Sequence, residues 1–211
     1  MRINFKYIVY LVVLIGCNVC RSGSFDDFFI AIKNDRGDEV TSLLQRGFDV
    51  NTRDASGQPG LTLAMRERSL KAAKALLAVP ALDVNALNAA RESALMLAAL
   101  KGEVTGAHML LDRGAQIQLP GWSPIHYAAT GPEAKLVDLF LDRGADVNAL
   151  APNGSTPLMM AAQYGTEESV KVLLDRGADA SRRNQLDLRA ADFARMAGRD
   201  SLARKLEGVG R

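Results

Sequence analysis

Leu111-Asp112-Arg113-Gly114-Ala115 recurs as Leu141-Asp142-Arg143-Gly144-Ala145 and again as Leu174-Asp175-Arg176-Gly177-Ala178. The glycines of the last two copies stand 33 residues apart. A period of that length describes one supersecondary unit that cannot bury its apolar face alone and stacks on a neighbour, giving a solenoid. The chain of 211 residues has room for about five or six such units, each touching only its neighbours.

The clearest unit runs from Asn148 to Gly177. Thr156 is placed to accept from an amide of a first helical turn, and Pro157 suits the next position, where no donor is missed. A helix is expected to start there, with Leu158, Ala161 and Ala162 on one face and small alanines that let a second helix lie close. Gly165 is expected to end it and to permit a tight reversal. The second helix then carries Val170, Leu173 and Leu174 on its buried stripe and Glu167, Glu168 and Lys171 on its wet side. Gly177 supplies the left-handed residue that stops it.

Thr156-Pro157-Leu158 followed by Ala161-Ala162, with Gly177-Ala178-Asp179 after paired leucines, resembles the ankyrin repeat. The resemblance covers residues 25–206. It implies an all-α repeat solenoid, an ankyrin-like curved array of about five to six helix-turn-helix units, each with a projecting β-hairpin finger. Aligned on the finger, the units read Asp49-Val50-Asn51, Asp83-Val84-Asn85, a degenerate Gln116-Ile117-Gln118, Asp146-Val147-Asn148 and Asp179-Ala180-Ser181. A partial sixth, Ala190-Ala191-Asp192-Phe193-Ala194 onward, reads as a C-terminal cap. Phe25-Asp26-Asp27-Phe28-Phe29, acidic on its first turn, reads as an N-terminal cap. Residues 207–211 form a short tail.

The first residues read differently. Arg2 and Lys6 precede the apolar run Tyr7 to Ile15, which falls short of the roughly 20 residues needed to span a bilayer and fits the core of a secretory signal peptide over residues 1–16. Leu14-Ile15-Gly16-Cys17 resembles the lipobox of bacterial lipoproteins, which implies cleavage before Cys17 and a lipid on its thiol, with 17–24 a linker. Cleavage further on, with Ser22 and Ser24 as the small residues before Phe25, and a short uncleaved anchor are the alternatives. The expected localisation is export to the periplasm, with the lipid as the membrane tether. Without residues 1–16, lysine plus arginine falls from 26 to 24 and equals the 24 acids. A balanced charge argues against nucleic acid, whose binding needs a concentrated basic surface.

Departures from the repeat are more informative than agreements. Gln118 to Ser123 is five steps where Asn148 to Thr156 is eight, so the fourth finger lacks three residues. Leu119-Pro120-Gly121-Trp122 stands there instead, carrying the one tryptophan of the chain. Its indole either fills the gap of the short loop or serves as a binding anchor, and the two roles are compatible. The resemblance places Leu63 and Arg66, Leu97 and Lys101, Tyr127, and then Met160, Gln163 and Tyr164 on the concave side. Trp122, Tyr127, Met160, Gln163 and Tyr164 are therefore the candidate partner-binding residues, an apolar and aromatic strip with polar tips of the kind that binds proteins. The second unit is also edited, with Pro59-Gly60 for Thr-Pro and Arg66-Glu67-Arg68 at the glycine turn.

His126 occupies the histidine position of the ankyrin motif, which Met96, Met159, Thr62 and Asp192 fill elsewhere. A neutral ring with a donor on one side and an acceptor on the other suits it to tying units together. Ser123, His126 and a nearby aspartate do not make a hydrolase if Ser123 is an N-cap. No phosphate loop, no ligand-spaced His, Cys, Asp and Glu cluster and no cofactor site is recognisable. The function expected is that of a non-enzymatic, monomeric scaffold or adaptor of the bacterial cell envelope that binds a protein partner. An exported effector, or an inhibitor or accessory subunit of an envelope enzyme, is the alternative.

Overall fold

The computed structural model describes residues 24–209; the expected leader, Cys17 and most of the linker lie outside them. Among the described residues the chain forms helix pairs in strict succession. They are α1 (24–33) with α2 (Gly37–Gln45), α3 (Gly60–Glu67) with α4 (Leu70–Leu77), and α5 (Ala94–Lys101) with α6 (Val104–Asp112). Then follow α7 (Pro124–Thr130) with α8 (Ala134–Asp142), α9 (Pro157–Tyr164) with α10 (Glu167–Asp175), and α11 (Ala190–Met196) with α12 (Asp200–Val209). The partial sixth unit is thus a complete helix pair, and α12 runs on into the expected tail. None of these helices is long and apolar enough to cross a membrane.

Odd-numbered helices stack on one another in an inner layer, α3 on α5, α5 on α7, α7 on α9 and α9 on α11, while even-numbered helices stack in an outer layer. Inner helices are short and rich in alanine because two neighbours press on each of them. Ala98, Ala99, Ala128, Ala129, Ala161 and Ala162 are fully buried. The outer stripe is larger: Leu76, Leu110, Phe140 and Leu173 are each 0% exposed. At the first unit Phe28 packs on Phe29 and Phe48 with centroids 5.3 and 4.4 Å away, closing that end with aromatic rings.

Local chemistry sets the helix limits. Thr156 accepts from the Met159 amide at 3.3 Å, as its place before Pro157 predicts. Gly47, Gly114, Gly144 and Gly177 stop the outer helices at φ between 82° and 90°. Gly165 behaves differently from the expectation: its φ is −84°, open to any residue, but a Cβ there would stand 2.1 Å from the Ala129 carbonyl oxygen. Close approach of the neighbouring unit, not turn geometry, is what demands glycine.

The fingers also differ in detail from β-hairpins. Each of four is closed at its tip by two backbone bonds: Asp54 N–H to the Gln58 carbonyl, Asn88 to Glu92, Ala151 to Ser155 and Asn184 to Leu188 at 2.9–3.0 Å, and back from the Gly57, Arg91, Gly154 and Asp187 N–H groups to the Asp54, Asn88, Ala151 and Asn184 carbonyls at 2.8–3.0 Å. Among the described residues the sole strand-type bridge joins Arg53 and Pro59. Finger polar groups bond within each tip, as Asp54 Oδ1 accepts from the Ser56 and Gln58 amides, and also along the stack. Asn51 Nδ2 donates to the Ala81 carbonyl at 2.8 Å while its Oδ1 accepts from Asp83 N–H at 2.8 Å. Asn85 does the same to Gly114 and Gln116, and Asn148 to Gly177 and Asp179. Gln118, in the degenerate finger, keeps only the donor half, to the Gly144 carbonyl at 2.6 Å.

Candidate functional site

The shortened fourth finger decides the local geometry. Gly121, at φ 85°, lies so close to the next finger that a Cβ would meet Pro152 Cγ at 3.2 Å. This presses Trp122 back onto α7, where the indole stands edge-on to His126, centroids 5.3 Å apart and planes at 78°. The ring is half-buried. Beyond the His126 contact, the indole lines a pocket of about 210 Å³ together with Leu100, His126, Tyr127, Thr130 and Met160. The pocket therefore spans three inner helices, α5, α7 and α9, and one finger.

The polar groups around it are held. Tyr127 donates its hydroxyl to Glu92 Oε1 at 3.3 Å, across to the preceding unit. Burial, reinforced by the Glu92 charge and hydrogen bond, pushes the phenol up to about 12. Glu92 Oε2 accepts from Asn88 at 2.9 Å, so both carboxylate oxygens have partners. Thr130 bonds back to the His126 carbonyl at 2.8 Å.

His126 is 1% exposed. Its Nε2 lies 3.1 Å from the Ala149 carbonyl in the next finger, which requires the proton on Nε2 and leaves Nδ1 as an acceptor. Ser123 supplies both donors to Nδ1, its amide at 3.3 Å and its hydroxyl at 3.0 Å. Ser123 is the N-cap of α7, as expected, in a capping box with His126 at the third helical position, and its hydroxyl also reaches the imidazole. The pair still lacks the layout of a hydrolytic site, because the ring nitrogen away from serine is bound to a carbonyl and Ser123 is 4% exposed. Burial lowers the basicity of the ring, with the Ala149 bond acting against it. Where methionine replaces this histidine, sulfur takes the Nδ1 place: Ser93 N–H reaches Met96 Sδ and Thr156 N–H reaches Met159 Sδ, both at 3.4 Å.

Three of the five candidate residues, Trp122, Tyr127 and Met160, meet in the pocket; Gln163 and Tyr164 do not line it. Tyr164 is 59% exposed at the end of α9. Leu63 and Leu97, placed on the concave side by the resemblance, are 0% and 3% exposed. They lie within the inner layer, covered by neighbouring helices. Leu100 and Glu92 are the site residues the sequence did not reveal. Leu100 reads as one more apolar residue of α5, and the Glu92–Tyr127 contact joins residues 35 apart.

The family model for ankyrin repeats (3 copies) matches residues 28–121 and 118–184. The B-cell lymphoma 3 protein homolog of Mus musculus is 32% identical over 154 residues, 70% of this chain and 34% of that protein. An ankyrin repeat-containing protein of Treponema pallidum (strain Nichols) is 30% identical over 174 residues, 82% of this chain and 48% of that protein. The chain therefore spans a third to a half of these relatives. Among solved structures, a chain in the complex of the Bd0816 predatory endopeptidase from Bdellovibrio bacteriovorus with immunity protein Bd3460 matches with a TM-score of 0.75 and 25% identity. That match covers 86% of this chain and 97% of the other. The repeat period, the stacked helix pairs and these matches together place the chain in the ankyrin repeat family.

Proposed function

We propose that this chain is a non-enzymatic protein-binding scaffold of the bacterial cell envelope, carried to the periplasm by its N-terminal segment and tethered there by a lipid on Cys17. It works as a monomer and holds one protein partner on its inner-helix face, with Trp122, Tyr127 and Met160 at the centre of the contact and Gln163 and Tyr164 at its edge. The observation that carries this reading is the aromatic pocket across three repeats, set on a layer whose other large side chains are mostly buried. Half-exposed Trp and Tyr around a shallow cavity are the usual anchors of protein interfaces. A second reading, an inhibitor or accessory subunit of an exported enzyme, is favoured by the solved complex, in which one partner of a peptidase and immunity protein pair carries this fold.

Affinity capture from envelope fractions with the intact chain tests both. Trp122→Ala is expected to abolish capture and Tyr164→Ala, at an exposed site, to weaken it about tenfold with an unchanged melting point. Retention of the partner by both variants refutes the binding face. A captured hydrolase whose rate falls stoichiometrically with added chain selects the inhibitor reading.

A further inference from the structure

The charge around the Trp122 pocket says what kind of segment fits it. Lys101 follows Leu100, a wall of the pocket, at the C-terminal end of α5, and Arg91 precedes Glu92 at the tip of the third finger. Both side chains are exposed, and neither has a hydrogen-bond or ion-pair partner among the described residues. Most other cations of the inner face are engaged: Arg53 bonds carbonyls, Arg66 bonds Gln58 and Glu67, and Arg68 meets Glu103. Two acids near the pocket are engaged: Glu92 has a partner on each oxygen and Asp146 accepts from the Asn148 amide, while the carboxylate of Glu133, at the N-cap of α8, has no hydrogen-bond or ion-pair partner among the described residues.

We propose that the pocket receives one aliphatic or aromatic side chain from a loop of a protein partner, with an acidic residue on either side of it meeting Arg91 and Lys101. The inference rests on the protein-binding reading above and gives the chemistry of the partner. An apolar occupant follows from the walls, since Leu100, Trp122, Tyr127 and Met160 offer carbon and ring faces while both His126 nitrogens and the Thr130 hydroxyl are already bonded. The spacing follows from α5 itself. Ten residues, mostly helical at about 1.5 Å each, set Arg91 and Lys101 on the order of 15 Å apart. An extended strand rises about 3.4 Å per residue, so acids two positions to either side of the inserted residue span that gap. The two free cations also disfavour a lysine or arginine as the occupant.

Trp122 is the single tryptophan of the chain and reports its own site. The probe is a blocked heptapeptide with phenylalanine at its centre and aspartates two residues to either side, titrated against the full chain at low salt. Expected is a saturable blue shift of tryptophan emission, at least about tenfold weaker when the centre is alanine or the flanks are lysine. Arg91→Asn, which suits the left-handed φ of 61° at that position, combined with Lys101→Gln, is expected to weaken the acidic peptide about tenfold at an unchanged melting point. Equal binding whatever the flanks or centre, or tighter binding of a lysine-centred peptide, overturns the proposal. Capture of a protein partner by the intact chain without a peptide response refutes this occupant alone, whereas retention of that partner by Trp122→Ala and Tyr164→Ala refutes the binding face.

Discussion

His126 is the residue at which burial, tautomer and repeat stacking meet. Its folded basicity lies below the ordinary value of 6.5 because the charged ring would have to leave water, a cost that the backbone bonds at Ala149, Ser155 and Ser123 and the Asp146 charge only partly offset. As pH falls below 6.5 the unfolded chain takes up a proton that the folded chain refuses, so this group's stabilisation is complete above that pH and declines below it. The slope is at most about 1.4 kcal/mol per pH unit for one proton. His126→Met keeps an acceptor for the Ser123 amide, as Met96 and Met159 do, and removes the titration. Melting followed from pH 7.5 to 5.5 is expected to fall more steeply for the native chain than for the variant; parallel profiles would show that His126 does not set the slope. Gly165 gives a second expectation at this scale. Gly165→Ala drives a Cβ to 2.1 Å from the Ala129 carbonyl oxygen, against backbone on both sides. Separation of two stacked units is the only relief, and a loss above the roughly 1 kcal/mol of an ordinary glycine replacement is expected in denaturant titrations. A loss no larger than that of Gly177→Ala, where φ of 87° alone opposes the side chain, would contradict the close-approach account.

The elements show how much was legible beforehand and why. The start of α9 was readable because a cap, a proline and an apolar stripe act within a few residues, and Thr156 and Pro157 stand where that logic puts them. Which face of an inner helix meets a partner was less readable. Leu63 and Leu97 sit in the packed layer and Leu100 lines the pocket, a difference set by neighbouring units and not by the helix's own period. The fingers carry the same lesson. A hairpin in each finger is what the resemblance implies, and the asparagine bonds add links between units, joining residues 29 to 32 apart in sequence. The fourth finger departs from that ladder, with one bond where Asn51, Asn85 and Asn148 make two. Gln118→Asn shortens the side chain by one methylene and restores the geometry of its counterparts, so that Oδ1 accepts from Asp146 N–H and Nδ2 donates to Gly144. A gain of about 0.5–1.5 kcal/mol is expected for the added hydrogen bond, read as a raised denaturant midpoint with unchanged slope. An unchanged or lowered midpoint would mean that the three-residue deletion holds the fourth finger out of register.

At the scale of the molecule, stability in such a stack is a sum of unit terms and nearest-neighbour terms, so damage to one interface stays near it. The last interface shows this best because one side chain bonds three carbonyls across it. Arg199, at the turn between α11 and α12, sends Nη1 to the carbonyls of Ala161, Ala162 and Gly165 at 3.0–3.1 Å, serving the open C-terminal end of α9 from the next unit. The charge suits the negative end of that helix, and the group is partly shielded from water. Arg199→Ala leaves those carbonyls without this donor and is expected to cost about 1–3 kcal/mol. The location of the loss is more telling than its size. Amide exchange should accelerate through α9 to α12, while α1 to α4, closed by the Phe28, Phe29 and Phe48 rings, keep their protection. If protection fell evenly from α1 to α12, the array would be melting as one cooperative body and the pairwise account of its stability would fail. A loss confined to the last two units would reach the Trp122 pocket through Met160 on α9, while the walls on α5 and α7 stay in place.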